Sequence, residues 1–236
     1  MFSDALHNHR SIWSVSSGEC SPKEGLKVLA FSRRSFLNLS LASLASASAI
    51  ARADGERADR TSGPVSPALL RRALDALARH RDSITDGDFI GIADFSLPSR
   101  TPRFHLVSLP DGSASSHLVA HGRGSDPLHT GWLKRFSNAP GSNASSAGAY
   151  RTGAPYVGAH GHSIRLEGLD PTNNNALARG IVVHSAWYVS EDVINHFGMP
   201  GRSEGCFAVD GASLAEVMTK LGPGRLLYAD NVNALG

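Results

Sequence analysis

Residues 89–109, FIGIADFSLPSRTPRFHLVSL, carry the clearest β pattern of the chain. Its first part, 89–95, is a run of apolar and small residues that predicts a buried strand. Its last part, 103–109, alternates apolar and polar side chains, which is typical of a strand that pairs with a neighbour. Residues 97–100 (LPSR) supply the turn between them. The pattern therefore predicts an antiparallel pair of strands joined by a short loop.

Further strands are expected on both sides of a long irregular region. Residues 110–112 (PDG) turn the chain into a third strand, and residues 121–148 form a long loop rich in Gly, Ser, Asn and Pro. The later strands are predicted near these ranges: 116–120 before the loop, then 148–152, 163–169, 180–184 and 225–230.

Three helices complete the prediction. Ser66 and Pro67 suit the start of a helix that continues to about residue 81. Ser190 is expected to cap a short helix through Phe197, and a last helix covers about 211–221. Strands dominate and no βαβ alternation is evident, so we expect a mainly β fold with a few peripheral helices.

Residues 1–53 are predicted to be a targeting segment. SRRSFL at 32–37 is a twin-arginine pattern, a mildly apolar run follows over 36–50, and ARA at 51–53 suits cleavage. The apolar run is short and diluted by serine, which argues against a membrane span. We therefore expect export by the twin-arginine machinery to the periplasm, a linker at 54–65 and one folded domain at 66–236.

Cleavage would change the charge and cysteine content. The whole chain has 23 Lys and Arg, 21 Asp and Glu and a formal net charge of +2. The first 53 residues hold six of those cations and three of the anions, so the remainder has 17 against 18, or −1. This balance, without a basic cluster interleaved with aromatics, argues against nucleic-acid binding. Cys20 would be lost with the leader, and Cys206 alone cannot form an internal disulfide.

The candidate site lies within residues 180–209. A β-branched strand, 181–183, ends at His184, and Arg202-Ser203-Glu204-Gly205-Cys206 follows a glycine-bearing loop. A cysteine nucleophile needs a base and donors for the oxyanion, and His184 with the backbone at Cys206 could supply them. Arg202 could lower the pKa of the thiol. The residue types alone leave a buried structural thiol equally open.

The order of these residues resembles that of the YkuD-like L,D-transpeptidases. Their signature is a strand-end His followed, one or two dozen residues later, by Ser/Thr-x-Gly-Cys. Here it corresponds to His184 and to residues 203–206 (SEGC). The resemblance is to the murein L,D-transpeptidase catalytic domain family, and it extends over the stretches 119–125, 136–142, 145–148, 161–169, 173–176 and 184–190.

The resemblance implies a β-sandwich or barrel-like catalytic domain that transfers acyl groups of peptidoglycan stem peptides, without a metal or other cofactor. Cys206 would form a thioester, with His184 as general base. Ser203 would orient the base or the loop, and the N–H groups of Gly205 and Cys206 would bind the oxyanion. Substrate contacts would come from Arg202, His121, His162, Trp187 and Tyr188.

Three positions depart from the family's common pattern. Ser185 stands where Gly is usual, Glu204 where His is usual, and Ala208 where Asn or Arg is usual. These departures bear on the acyl acceptor, so the sequence leaves cross-linking and L,D-carboxypeptidase hydrolysis both open.

Two other interpretations are open. His160-Gly161-His162 would present two rings on one face of a strand, and His121, Asp126 and His162 could form the zinc site of a cell-wall peptidase. The chain could also be a non-catalytic wall-binding module.

Overall fold

The computed structural model describes residues 64–233. Within that range the strands are β1 Phe89–Asp94, β2 Phe104–Ser108, β3 Ala114–His117, β4 Val119–Ala120, β5 Gly148–Gly158, β6 Gly161–Gly168, β7 Val182–Ser185, β8 Phe207–Val209 and β9 Leu226–Asp230. The α-helices are α1 Pro67–Arg79, α2 Glu191–Phe197 and α3 Leu214–Lys220, and Arg123–Ser125 forms a 3-10 turn. Strand residues outnumber helical ones, which confirms the predicted mainly β fold.

The strands form one mixed sheet in the order β3-β2-β1-β9-β5-β6-β7-β8-β4. The predicted pair within residues 89–109 is present, with Ile92 of β1 opposite His105 of β2. Strands β3 and β4 lie at opposite edges of the sheet although only Leu118 separates them along the chain. The sheet must therefore curl until its two edges meet, as in a barrel. The single strand predicted at 116–120 was wrong, because the chain crosses from one edge to the other at the buried Leu118.

Helix α1 packs on the sheet beside β1 and β9. Its apolar residues recur at helical spacing and bury one face, formed by Leu69, Ala73 and Ala76. Full burial of Leu69 contributes about 2 kcal/mol. Ser66 occupies the N-cap position, but its side chain makes no cap bond. The predicted helix start at Ser66 and Pro67 is confirmed, and Pro67, not a serine side-chain bond, supports the first turn. Val65, within the predicted linker, is buried in the same cluster.

A βαβ unit runs from β7 through α2 to β8. Strands β7 and β8 are parallel neighbours, with Val183 opposite Phe207. Ser190 caps α2 as predicted, since its Oγ accepts a hydrogen bond from the Val193 N–H at 3.2 Å, and Gly198 ends the helix at φ +80°. The expectation of no βαβ alternation was wrong here, because strands of four and three residues around a seven-residue helix give too weak a pattern.

The longest helix between residues 64 and 233 has 13 residues, and none there is long and apolar enough to cross a membrane. The predicted targeting segment, residues 1–53, lies outside the described residues, so its role and the domain bounds built on it stay predictions.

Candidate active site

His184 lies on β7, and Cys206 lies directly before the neighbouring strand β8. Val183 and Phe207, which are opposite each other, both belong to the main core. Side chains alternate along a strand, so His184 and Ala208, which are opposite each other, point to the other face, where Ala208 packs in a separate small cluster. Cys206 lies two residues before Ala208. Because Cys206 is two residues away from the position opposite His184, the Cα atoms of Cys206 and His184 are expected about 8 Å apart. The two residues are therefore neighbours across the pairing of β7 with β8.

The Cys206 side chain is held in a mostly buried position. Its residue is 9% exposed, and the S–H donates to the Gly180 carbonyl oxygen at 3.7 Å. Burial raises the pKa of Cys206, because the thiolate loses hydration. The Val182 N–H and the charge of Arg179 lower that pKa, and the carboxylate of Glu204 raises it further. The thiol is therefore protonated at neutral pH and needs a base to become a nucleophile.

His184 is a neutral imidazole in a defined tautomer. Its Nδ1 lies 2.9 Å from the Ser185 carbonyl oxygen. A carbonyl can only accept, so Nδ1 carries the hydrogen and Nε2 keeps its lone pair. Burial lowers the pKa of His184, the bond to Ser185 opposes this, and the charge of His160 lowers it further. The His160 ring stacks on His184, with centroids 4.4 Å apart and planes inclined by 24°. This neutral form is the one that a general base requires.

Residues 202–206, which we call the nucleophile loop after the predicted role of Cys206, are held in place by hydrogen bonds of Ser203. The Ser203 Oγ donates to the Cys206 carbonyl oxygen at 2.7 Å and accepts from the Gly205 N–H at 3.1 Å. Gly205 has φ +119°, a conformation that side-chain-bearing residues rarely adopt. Ser203 thus joins both ends of the turn at 203–206 by hydrogen bonds, and its predicted role in orienting the loop or the base stays a prediction. The Ser203 hydroxyl also accepts the hydrogen bond of the Gly205 N–H, which the family resemblance assigned to the oxyanion.

Residues 121–123 run alongside the nucleophile loop. The Arg123 N–H donates to the Ser203 carbonyl oxygen at 2.7 Å, and the Ser203 N–H donates to the His121 carbonyl oxygen at 3.0 Å. A Cβ on Gly122 would lie 2.8 Å from the Cα and N of Gly205, so this approach requires glycine. Ser145 joins both segments, since its Oγ accepts from the Gly122 N–H at 3.0 Å and donates to the Gly205 carbonyl oxygen at 3.2 Å.

His121 lies in a buried charged cluster, with 1% of its side chain exposed. Arg103 Nη2 is 2.7 Å from its Nδ1, and Asp126 Oδ2 is 3.5 Å from its Nε2. Arginine only donates, so the imidazole hydrogen is on Nε2 and faces Asp126. Burial and the charge of Arg103 lower the pKa of His121 to about 3, which keeps it neutral. Because His121 is enclosed, its position argues against the predicted substrate contact. It favours a structural role beside residues 202–206.

Arg202 also braces a loop. Its Nη1 donates to the carbonyl oxygens of Asp126 and Pro127, the latter at 3.2 Å. The predicted contact between Arg202 and a substrate carboxylate would have to break these bonds. His162 is exposed on β6, opposite Val157 of β5.

Trp187 and Tyr188 follow β7 and lie close to the site. Trp187 is 83% exposed, and its ring meets that of Tyr188 edge to face with centroids 5.9 Å apart. Burial, with the negative charges of Cys206 and Glu204, raises the pKa of Tyr188 to about 12. The Tyr188 hydroxyl therefore stays protonated, and the exposed Trp187 ring is accessible to a ligand.

A cleft of about 350 Å³ opens beside Cys206. The other residues around it are Pro140, Gly141, Asn143, His160, Ala178, Arg179, Gly180 and Glu204. The guanidinium of Arg179 is anchored, donating to the carbonyl oxygens of Ser137 at 2.8 Å and Ala144 at 2.5 Å. Glu204 instead pairs with Arg123 at 2.8 Å on the surface. The cleft thus combines a fixed cation with an accessible anion.

The three ligands of the zinc alternative are not brought together. His121 and Asp126 are buried side by side, whereas His162 is exposed on β6. In the part of the chain that the structure describes, no group of three His, Cys, Asp or Glu side chains is placed to hold a metal ion. The arrangement therefore gives the zinc-peptidase interpretation no support.

Arg179 is one site residue that sequence reasoning missed. It lies 27 positions before Cys206, and no spacing rule connects the two. The strand pattern could have revealed it, because residues 179–180 come shortly before β7 and residues 205–206 come directly before β8. Because β7 and β8 are parallel, the residues before each strand become neighbours.

Comparison with known proteins identifies one family. Residues 62–229 match the family model of the L,D-transpeptidase catalytic domain. No curated protein matches the chain.

Several solved structures are similar to the chain. An L,D-transpeptidase from Mycobacterium smegmatis has 15% identity and a TM-score of 0.38, with 61% of this chain and 58% of that chain covered. The helical cell shape determining protein Pgp2 from Campylobacter jejuni has 12% identity and a TM-score of 0.41, with 72% and 58% covered. An L,D-transpeptidase from Xylanimonas cellulosilytica has 16% identity and a TM-score of 0.36, with 70% and 71% covered. The chain spans less than two thirds of the first two, and the family assignment rests on residues 62–229.

Proposed function

The chain belongs to the L,D-transpeptidase catalytic domain family, and we propose that it transfers peptidoglycan stem-peptide acyl groups through a thioester on Cys206, with His184 as general base. The substrate would be a stem tetrapeptide whose terminal D-Ala is the leaving group. An amine of a second stem would resolve the thioester to a cross-link, and water would resolve it to a hydrolysed stem.

The proposed chemistry uses the protonation states of the site. His184 Nε2 takes the proton from Cys206, and the sulfur attacks the stem carbonyl carbon. The carbon–nitrogen bond then breaks, and His184 returns its proton to the leaving amine of D-Ala. The Cys206 N–H is the proposed oxyanion donor, because the Gly205 N–H already bonds to Ser203. Arg179 adds a fixed positive charge next to the sulfur.

One observation carries this proposal: the parallel pairing of β7 and β8. It supports the proposal because Cys206, the residue directly before β8, is thereby a neighbour of the strand that carries the neutral imidazole of His184. A structural thiol would need neither the neutral imidazole nor a cleft of about 350 Å³ beside it.

The reaction is tested with purified muropeptides and mass spectrometry. We expect the wild-type protein to convert tetrapeptide stems, and Cys206→Ala to abolish every conversion. A dimer shows cross-linking, an exchanged terminal residue shows D-amino-acid transfer, and loss of D-Ala alone shows hydrolysis. Unchanged muropeptides would contradict the proposal and favour a non-catalytic wall-binding module. His184→Gln should also be inactive while its melting temperature stays close to that of the wild type.

We propose further that residues 1–53 direct export through the twin-arginine machinery to the periplasm, where peptidoglycan lies. The support is the twin-arginine pattern at Arg33 and Arg34. A fusion of residues 1–53 to a fluorescent protein should reach the periplasm, and changing both arginines to lysine should leave it in the cytoplasm. Equal periplasmic fluorescence for the two fusions would contradict this route.

A further inference from the structure

One charged side chain in the cleft has no part in the chemistry described above. Glu204 lies in the nucleophile loop, two residues before Cys206, and lines the same cleft. Its side chain is 71% exposed. Its charge is felt at the sulfur and at the neighbouring phenol, since it raises the pKa values of Cys206 and Tyr188. Glu204 is therefore an accessible anion in the field of the reacting atoms.

Glu204 is also available for a ligand. Its ion-pair partner, Arg123, is 2.8 Å away with 55% of its side chain exposed. Ion pairs between exposed side chains contribute little and exchange readily. Arg179, the other charged group of the cleft, is held by four bonds to protein oxygens at 2.5 to 3.3 Å. A charged substrate group that enters the cleft can therefore replace Arg123 as the partner of Glu204 at a small cost in free energy. Since Glu204 is negative, that group must be a cation.

We infer that Glu204 binds the ammonium group of the acyl acceptor and thereby selects cationic amines over water for resolution of the Cys206 thioester. This inference rests on the proposed function. It assigns to Glu204 the choice between cross-linking and hydrolysis, which the catalytic pair alone leaves open.

The resolving step is balanced with the groups of the site. After acylation His184 is neutral, so it can take one proton from the bound ammonium. The amine nitrogen then attacks the thioester carbonyl, the new carbon–nitrogen bond forms and the carbon–sulfur bond breaks. The Cys206 thiolate regains its proton from His184, and the second amine proton passes through His184 to water. Glu204 stays ionised throughout and takes no proton. It therefore acts on binding of the acceptor, and its removal should raise KM for that acceptor.

The test forms the acyl-enzyme from the full-length protein and a stem tetrapeptide. It then measures how the acyl group is divided between an added amine acceptor and water. Two acceptors are compared at neutral pH: Nα-acetyl-lysine, whose side-chain amine is cationic, and hydroxylamine, which is uncharged. Glu204→Gln should raise KM for Nα-acetyl-lysine about two- to fivefold and leave that for hydroxylamine unchanged. Arg123→Gln should lower KM for Nα-acetyl-lysine, because it frees the Glu204 carboxylate.

Two control variants separate this effect from a general change of charge. Glu204→Asp keeps the carboxylate and should retain most of the discrimination. Glu191→Gln removes the same charge from the exposed start of α2 and should change neither KM. Equal changes for both acceptors, or an acyl-enzyme of the wild type that only water resolves, would overturn the inference while thioester chemistry stands. Absence of any acyl-enzyme would overturn the proposed function and this inference with it.

Discussion

Replacing Gly122 with alanine should displace the nucleophile loop without altering any side chain that reacts. Gly122 has φ −68°, which alanine adopts without strain, so the perturbation is steric alone. The added Cβ would lie 2.8 Å from the Cα and N of Gly205 and closer still to the carbonyl oxygen of Asn143, so it presses on both segments. Ordinary carbon contacts are about 3.5 Å or longer, so the two backbone segments must separate by roughly 0.7 Å.

This displacement has a cost in stability and a larger one in rate. Forcing one methyl group into a packed site costs about 1–3 kcal/mol. For a domain of this size that corresponds to a melting temperature lower by roughly 2–12 °C. A shift of nearly 1 Å at a reacting group can slow a reaction about 100-fold, so we expect acylation by a carbapenem to slow by about 10- to 100-fold.

The assay is the time course of carbapenem adduct formation by intact mass, with the melting temperature measured on the same samples. Gly211→Ala is the matched control, since a Cβ on Gly211 would meet nothing within 4 Å. Acylation of the Gly122→Ala protein within twofold of the wild-type rate would show that the close approach of Gly122 to Gly205 does not position Cys206. So would an equal loss of rate in Gly211→Ala.

Three further perturbations test the rest of the site. Arg179→Gln removes a charge that lowers the pKa of Cys206, so alkylation of the thiol should shift to higher pH, and the lost bonds should destabilise the fold by about 1.5–3 kcal/mol; an unchanged alkylation profile would contradict this. His160→Phe keeps the stacked ring but removes a charge that lowers the pKa of His184. Because the base must be neutral, the acidic side of the pH–rate profile for acylation should move to higher pH. An unchanged profile would show that His160 does not influence the pKa of His184. Ser145→Ala removes two buried hydrogen bonds and should lower the free energy of unfolding by about 1–3 kcal/mol in urea titrations; a loss under about 0.5 kcal/mol would show that this link is not important.

The fold elements that the sequence predicts correctly are those with strong local patterns. Residues 89–109 alternate and turn within one short stretch, and Ser190 is followed directly by its helix, so neighbours along the chain carry the information. The edge-to-edge crossing at Leu118 and the parallel pairing of β7 with β8 depend on distant partners. Short strands with long-range partners leave little trace in a local pattern, which is why the run 116–120 was predicted as one strand.

The site divides in the same way. His184 and Cys206 were identifiable because each ends or begins an apolar strand in a recognisable order, and their assignment as base and nucleophile stays a prediction. The position of His121 could not be anticipated, since its burial beside Arg103 depends on contacts across 18 residues. Arg179 was missed for the same reason, because its proximity to the thiol follows from strand pairing and not from spacing.

Acylation of Cys206 by a carbapenem, followed by intact mass and peptide mapping, is the decisive experiment for the proposed mechanism. A carbapenem reacts by opening its ring, so the account predicts that the full-length protein gains the mass of one intact carbapenem, mapped to Cys206. Cys20→Ser should gain the same mass, and Cys206→Ala should gain none. No adduct on the wild-type protein, or an equal adduct on Cys206→Ala, would contradict the account.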